Sequence, residues 1–132
     1  MPIRLIYRQQ KERAMQLVKR TPEEIEYAFE TFVEKVQDKI NDHFVSNYKN
    51  LKAPKITVHP GRVYWKVVRE EGEDLGINCS VYGFVRKSDG AIFKAATWKA
   101  PYTKGNSAIR GYVCDNSNGM DATTAYSIKY AS

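Results

Sequence analysis

Residues 79–110 read CSVYGFVRKSDGAIFKAATWKAPYTKGNSAIR, two runs of β-forming residues on either side of Arg86-Lys87-Ser88-Asp89-Gly90-Ala91. Ser88-Asp89-Gly90 suits a three-residue hairpin loop, a type I turn followed by Gly90 in the left-handed conformation at a G1 bulge. This loop sets Lys87 opposite Ala91, Val85 opposite Phe93, Phe84 opposite Lys94 and Tyr82 opposite Ala96. Facing residues share a side of a sheet. One side is then Cys79, Val81, Gly83, Val85, Phe93, Ala95 and Thr97, small and apolar. The other is Ser80, Tyr82, Phe84, Arg86, Ile92, Lys94, Ala96 and Trp98, aromatic and cationic. A rival two-residue Asp89-Gly90 turn would slip the partner strand by one residue. Trp98 and Lys94 would then lie with Val81 and Val85, and the aromatic-basic group would disperse. The three-residue loop is the expected register, and the functional reading depends on it.

Before the hairpin the hydrophobic period is that of a helix. Thr21-Pro22-Glu23-Glu24 is a helix start, with Thr21 as N-cap, Pro22 in the first turn and Glu24 placed for a capping box. Ile25, Phe29, Phe32, Val33, Val36, Ile40 and Phe44 follow at spacings of three and four, which predicts an amphipathic helix over 21–48, about 40 Å long. Glu26, Glu30, Glu34, Asp38 and Asp42 occupy its other face. His43, near its end, reads as a surface or boundary residue.

From Lys55 the period becomes two. Ile56-Thr57-Val58 is a short strand, Pro60-Gly61 a turn, and Arg62–Arg69 a strong strand with Trp65 as its core residue. Glu70-Glu71-Gly72-Glu73-Asp74 is an acidic loop. The hairpin strands run over 77–87 and 91–99, ended by Ala100-Pro101. Residues 109–113 make a further strand, residues 115–121 a polar loop, and residues 125–130 a last edge strand. A helix followed by a run of strands predicts one α+β domain over 1–132: a basic arm or short helix at 1–20, the helix at 21–48, and a β-rich part at 55–132. The helix would pack on one side of an antiparallel meander of about four to five strands and leave the other side open.

Composition adds a charge pattern. The 132 residues carry a formal net charge of +6, a balance that favours polyanionic partners. It is segregated: the first twenty residues and the part after Asn50 are basic, and the helix is acidic. Cys79 and Cys114 read as reduced, mostly buried thiols of a cytosolic protein. No apolar run of membrane-spanning or secretory type is present.

Catalytic constellations are missing from the pattern. His43 and His59 lie in different elements, no Cys/His metal spacing occurs, and neither a phosphate-loop, a dinucleotide nor a Gly-x-Ser-x-Gly motif is present. No enzymatic activity and no cofactor are expected. Binding is the better reading. Nonspecific single-strand recognition needs π faces for bases and cations for phosphates. Tyr82, Phe84 and Trp98 are the candidate stacking residues, and Arg86, Lys94, Lys99, Lys104 and Arg110 the candidate phosphate contacts. Tyr64, Trp65 and Lys66 on the preceding strand would extend the surface, depending on register. The loop from Trp98 to Gly111, with Gly105, Asn106 and Ser107, is of the kind that offers backbone amides to a phosphate. The bland alternatives are strand aromatics that pack in the core and an ordinary surface loop.

Asp89-Gly90-Ala91-Ile92-Phe93-Lys94-Ala95-Ala96-Thr97-Trp98-Lys99-Ala100-Pro101, followed by Arg110-Gly111, resembles a motif of small bacteriophage proteins, Lys-Ala-Ala-(Ser/Thr)-Trp-Lys-Ala-Pro with an Arg soon after. The resemblance spans about a quarter of the chain and does not reach the helix. It implies a viral protein acting in the host cytoplasm, without an assigned activity. Three functions are compatible: binding of single-stranded nucleic acid or a nucleotide, a virion or assembly role as a homo-oligomer, and a nucleotide sponge or inhibitor acting against host defence.

Overall fold

The computed structural model describes residues 20–48, 52–72 and 78–129. The expected N-terminal arm, apart from Arg20, lies outside the described residues. Helix α1 spans Pro22–Asn47. Thr21 caps it: its Oγ1 accepts from the Glu24 amide and donates to the Glu24 carboxylate, satisfying one of the first-turn N–H groups. Ile25, Phe29, Phe32, Val36 and Ile40 form its buried stripe.

Five strands follow, β1 (Lys55–Pro60), β2 (Tyr64–Glu71), β3 (Asn78–Arg86), β4 (Ala91–Phe93) and β5 (Ile109–Tyr112). They lie side by side in chain order, each antiparallel to the next. The fold is therefore α+β, one helix against an antiparallel meander. The helix stripe packs with Ile56, Val58, Trp65, Val67, Val85, Ile92 and Val113. The Trp65 ring stacks on Phe29, centroids 4.2 Å apart. Burial of each such side chain contributes about 1.5–3 kcal/mol.

Polar contacts fix the helix to both ends of the sheet. Gln37 reaches the outer edge of β1, where its Oε1 accepts from the Ile56 amide at 2.7 Å and its Nε2 donates to the Pro54 carbonyl at 2.9 Å. Lys39 donates to Thr123 Oγ1 and to the carbonyls of Met120 and Thr123. Asn118 Nδ2 donates to the carbonyls of Ala28 and Val113.

Three expectations are corrected. The hairpin loop has four residues, not three or two: Phe84 faces Phe93 and Val85 faces Ile92, leaving 87–90 between the strands. Asp89 sets this length. Its carboxylate accepts from Arg86 Nε and Nη2 and from the Ala91 amide, while Gly90, at φ 75°, donates to the Arg86 carbonyl. The β4 strand is also much shorter than expected. Past Phe93 the chain folds back, with the Tyr102 amide on the Lys94 carbonyl and a bridge from Ala95 to Pro101. Last, the described residues of 125–130 do not form an edge strand. They cross the helix side of the sheet, held by a Thr123–Ile128 bridge and by the Ile128 amide on the Tyr82 carbonyl.

Candidate functional site

The helix covers one side of the sheet, so the other side is where strand residues can meet a ligand. Registers define two rows across it. His59 faces Lys66, Lys66 faces Phe84, Phe84 faces Phe93, and Phe93 faces Ile109. Beside this row, Tyr64 faces Arg86 and Ala91 faces Tyr112. The first row crosses all five strands and, at 4.7–4.9 Å per step, is about 19 Å long. The one-residue change of register moves Phe93 to the side of Phe84 and Arg86, and sends Ile92 to the helix core with Val85.

Within this face Phe84 and Phe93 are 3% and 2% exposed and form a second small core with Ala91 and Ala108. Tyr64 meets both rings edge to face, at 6.0 and 5.8 Å. The Arg86 guanidinium lies 5.2 Å from the Phe93 ring. Its pairing with Asp89 pushes its pKa further up. Burial alone would raise the Asp89 carboxyl, but hydrogen bonds from Arg86 and the Ala91 amide outweigh it and hold the group below the usual aspartate range.

Trp98 and Tyr102 are exposed rings of the loop after β4, and Trp98 lies against the open side. Thr97 Oγ1 accepts from the amides of Lys99 and Ala100, closing a tight turn that turns the indole toward β1 and β2. Lys66 Nζ sits 4.2 Å from the indole centroid, and His59 meets the ring edge-on at 6.4 Å. Trp98 remains 44% exposed. Among the described residues no carboxylate pairs with Lys66; the ion pairs are Arg20–Glu24, Arg69–Glu71 and Arg86–Asp89.

The eight residues expected to bind nucleic acid therefore divide. Trp98, Phe84 and Arg86 lie on the open side, with Phe84 as floor and not as surface. Tyr82 is 1% exposed on the helix side and is corrected as a stacking residue. It is the extra residue of a β-bulge, since Val67 pairs with Gly83 and Val68 with Val81. The bulge turns Tyr82 toward the helix, where its hydroxyl donates to the Thr124 carbonyl and burial pushes its pKa up. Lys94 also belongs to the helix side, donating to the Ile128 carbonyl and Ser127 Oγ. Lys99 and Lys104 are exposed on the loop after β4, and Arg110 is the half-buried extra residue of a bulge in β5. Sequence reasoning missed His59, Phe93 and Tyr112. The alternation of Ile56 and Val58 into the core was the available signal for His59.

Other chemistry is sparse. A groove of about 350 Å³ runs between α1 and the turn after β5, lined by Arg20, Glu24, Thr31, Val113, Cys114 and Asn118 among others. Burial pushes the Cys114 thiol up, which favours its protonated form. Cys79, expected to be buried, is exposed, and both thiols are free. At the far end of α1, His43 bonds Tyr126 Oη at 2.7 Å, while the buried Arg69 lies between the Tyr126 and Phe44 rings and pairs with Glu71. Among the described residues no group of His, Cys, Asp or Glu converges to hold a metal ion, and no helix is long and apolar enough to cross a membrane.

No curated protein and no solved structure matches this chain significantly. Residues 7–125 match the Family of unknown function (DUF7717), and the chain belongs to that family.

Proposed function

We propose that the open side of the sheet binds single-stranded nucleic acid, with Trp98 as the stacking residue and Lys66, His59 and the loop lysines Lys99 and Lys104 around it for phosphate. The observation that carries this reading is the exposed indole held over Lys66 Nζ. A π face and a cation occur there in one corner, and no carboxylate among the described residues neutralises the cation. The acidic face of α1 lies on the opposite side of the sheet, so charge polarity directs a polyanion to the open side. A nucleotide sponge would use the same corner for a single base and its phosphate.

Assembly through strand addition has less support. The outward amide of Ile56 on the edge strand β1 is taken by Gln37, and Pro54 and Pro60 flank the remainder.

The test is fluorescence anisotropy of a labelled oligo(dT) or oligo(U) against the full chain at 50 mM and 200 mM salt. Affinity is expected to fall with salt, with a slope near −0.7 per phosphate neutralised. Trp98→Ala is expected to weaken binding roughly five- to 150-fold, the worth of about one stacked base, with the fold retained by circular dichroism. Absence of binding at 50 mM salt, or unchanged affinity in Trp98→Ala and Lys66→Ala, would refute the proposal.

A further inference from the structure

The corner at Trp98 also contains a histidine. His59 is exposed on β1, directly across from Lys66 in the antiparallel register. Its ring stands perpendicular to the indole, at 88°. Histidine is the side chain that ordinarily gains or loses its charge between pH 5 and 8. Each group that faces it can be named. From β2 come Lys66 opposite, with Tyr64 and Val68 on the diagonals; from the loop comes Trp98. Glu70 is the carboxylate further along this face of β2, four residues from Lys66, and it accepts from Thr57 Oγ1. His59 therefore faces one cation and an aromatic edge, with no carboxylate opposite it.

We propose that His59 is a proton-gated phosphate contact, so that nucleic-acid binding at this site is coupled to proton uptake. The inference rests on the nucleic-acid reading above. A nucleotide whose base lies on the outer face of Trp98 places its phosphate at the indole rim, between Lys66 Nζ and the His59 ring. Without ligand, a charged His59 opposite Lys66 is a like-charge cross-strand pair, which is unfavourable. A phosphate between them reverses that sign. By linkage, the ligand favours the protonated imidazole and the protonated imidazole favours the ligand. A unit charge brought to about 4 Å from a phosphate in water strengthens binding about fivefold.

The experiment is the anisotropy titration of labelled oligo(dT) at pH 5.5 and pH 8.0 at one fixed low salt concentration. Thymine bases do not titrate in this interval, and circular dichroism checks that the fold is the same at both values. The wild-type chain should bind about fivefold more tightly at pH 5.5, with a salt slope steeper by about 0.7. His59→Gln should remove both effects, binding with one affinity and one salt slope at pH 5.5 and pH 8.0. His43→Gln, in the other histidine of the chain, should keep them. Binding with no pH dependence, or with the same dependence in His59→Gln, overturns this inference and leaves the nucleic-acid reading in place. Absence of binding at both pH values overturns that reading and this inference with it.

Discussion

Gln37 takes the place of a missing sixth strand, and replacing it tests how the helix is registered on the sheet. Its amide makes three hydrogen bonds: Oε1 from the Ile56 amide at 2.7 Å, and Nε2 to the Pro54 carbonyl at 2.9 Å and to Asn41 Oδ1 at 3.1 Å. Both Nε2 hydrogens are used and Oε1 faces a donor, so the orientation of the amide is fixed. Gln37→Leu keeps the bulk but leaves the Ile56 N–H and the Pro54 C=O without partners. Ile56 is 8% exposed and Pro54 is buried. A buried unsatisfied group costs about 1–3 kcal/mol. Partial access of water at a sheet edge places each loss near the lower end, so the expected destabilisation is about 2–3 kcal/mol. For a chain of this length that is a fall in Tm of about 7–11 °C.

Urea unfolding reads the free energy, and hydrogen exchange at the Ile56 amide reads the site itself. Gln37→Glu supplies the control. The carboxylate still accepts from Ile56 but turns a second acceptor toward the Pro54 carbonyl. Its protonated form donates there, so protonation is favoured in the folded state. The sign follows: this variant should be weakened at pH 7 and recover as pH falls through the carboxylate range. A Gln37→Leu protein within 0.5 kcal/mol of the wild type, with unchanged exchange at Ile56, would refute the reasoning.

Two further outcomes are expected. Asp89→Asn should destabilise the hairpin by at most about 1 kcal/mol, because the Arg86 pair is partly exposed. Since the folded carboxyl is held below its ordinary range, its contribution is present above the unfolded value and lost as pH falls through the folded one; acid titrations of stability should show this component in the wild type and not in Asp89→Asn. Gly83→Ala would place a methyl 2.5 Å from Ile128 Cγ1 and 3.0 Å from the Phe93 carbonyl. It should cost about 1–3 kcal/mol in urea unfolding and speed exchange of the Ile128 amide, which bonds Tyr82; a neutral result would contradict the packing described here.

The helix was legible because its signals are local: a cap at Thr21, a proline in the first turn and a stripe from Ile25 to Ile40 repeat with the period of the backbone itself. The positions of β1, β2, β3 and β5 were legible for the same reason. What escaped was register, the early end of β4 and the course of the residues after 124. The length of the hairpin loop depends on Asp89 reaching back to Arg86, a local contact, and on the Val113 amide, just past β5, taking the Gly90 carbonyl. The second is not written in the turn itself. Tyr82 was read by alternation, but a bulge breaks alternation at that residue, and the partner that takes its carbonyl, Ile128, is far along the chain. Trp98 was read as a strand residue. The strand ends at Phe93, and the indole reaches the open side through the loop.

That last difference changes how the proposed binding face is built. Had Phe84 and Phe93 been exposed, the sheet itself would be the platform, and binding would depend on the strands alone. Instead Tyr64 covers both rings, and they form the floor of a second core. Trp98 belongs to a loop whose turn is closed by Thr97, and its ring lies against Lys66. The sheet thus supplies rigidity and two of the polar groups, His59 and Lys66, while the loop supplies the aromatic surface. Under the proposed nucleic-acid reading, a site divided in this way can change its stacking residue, or the loop that presents it, without disturbing the packing beneath.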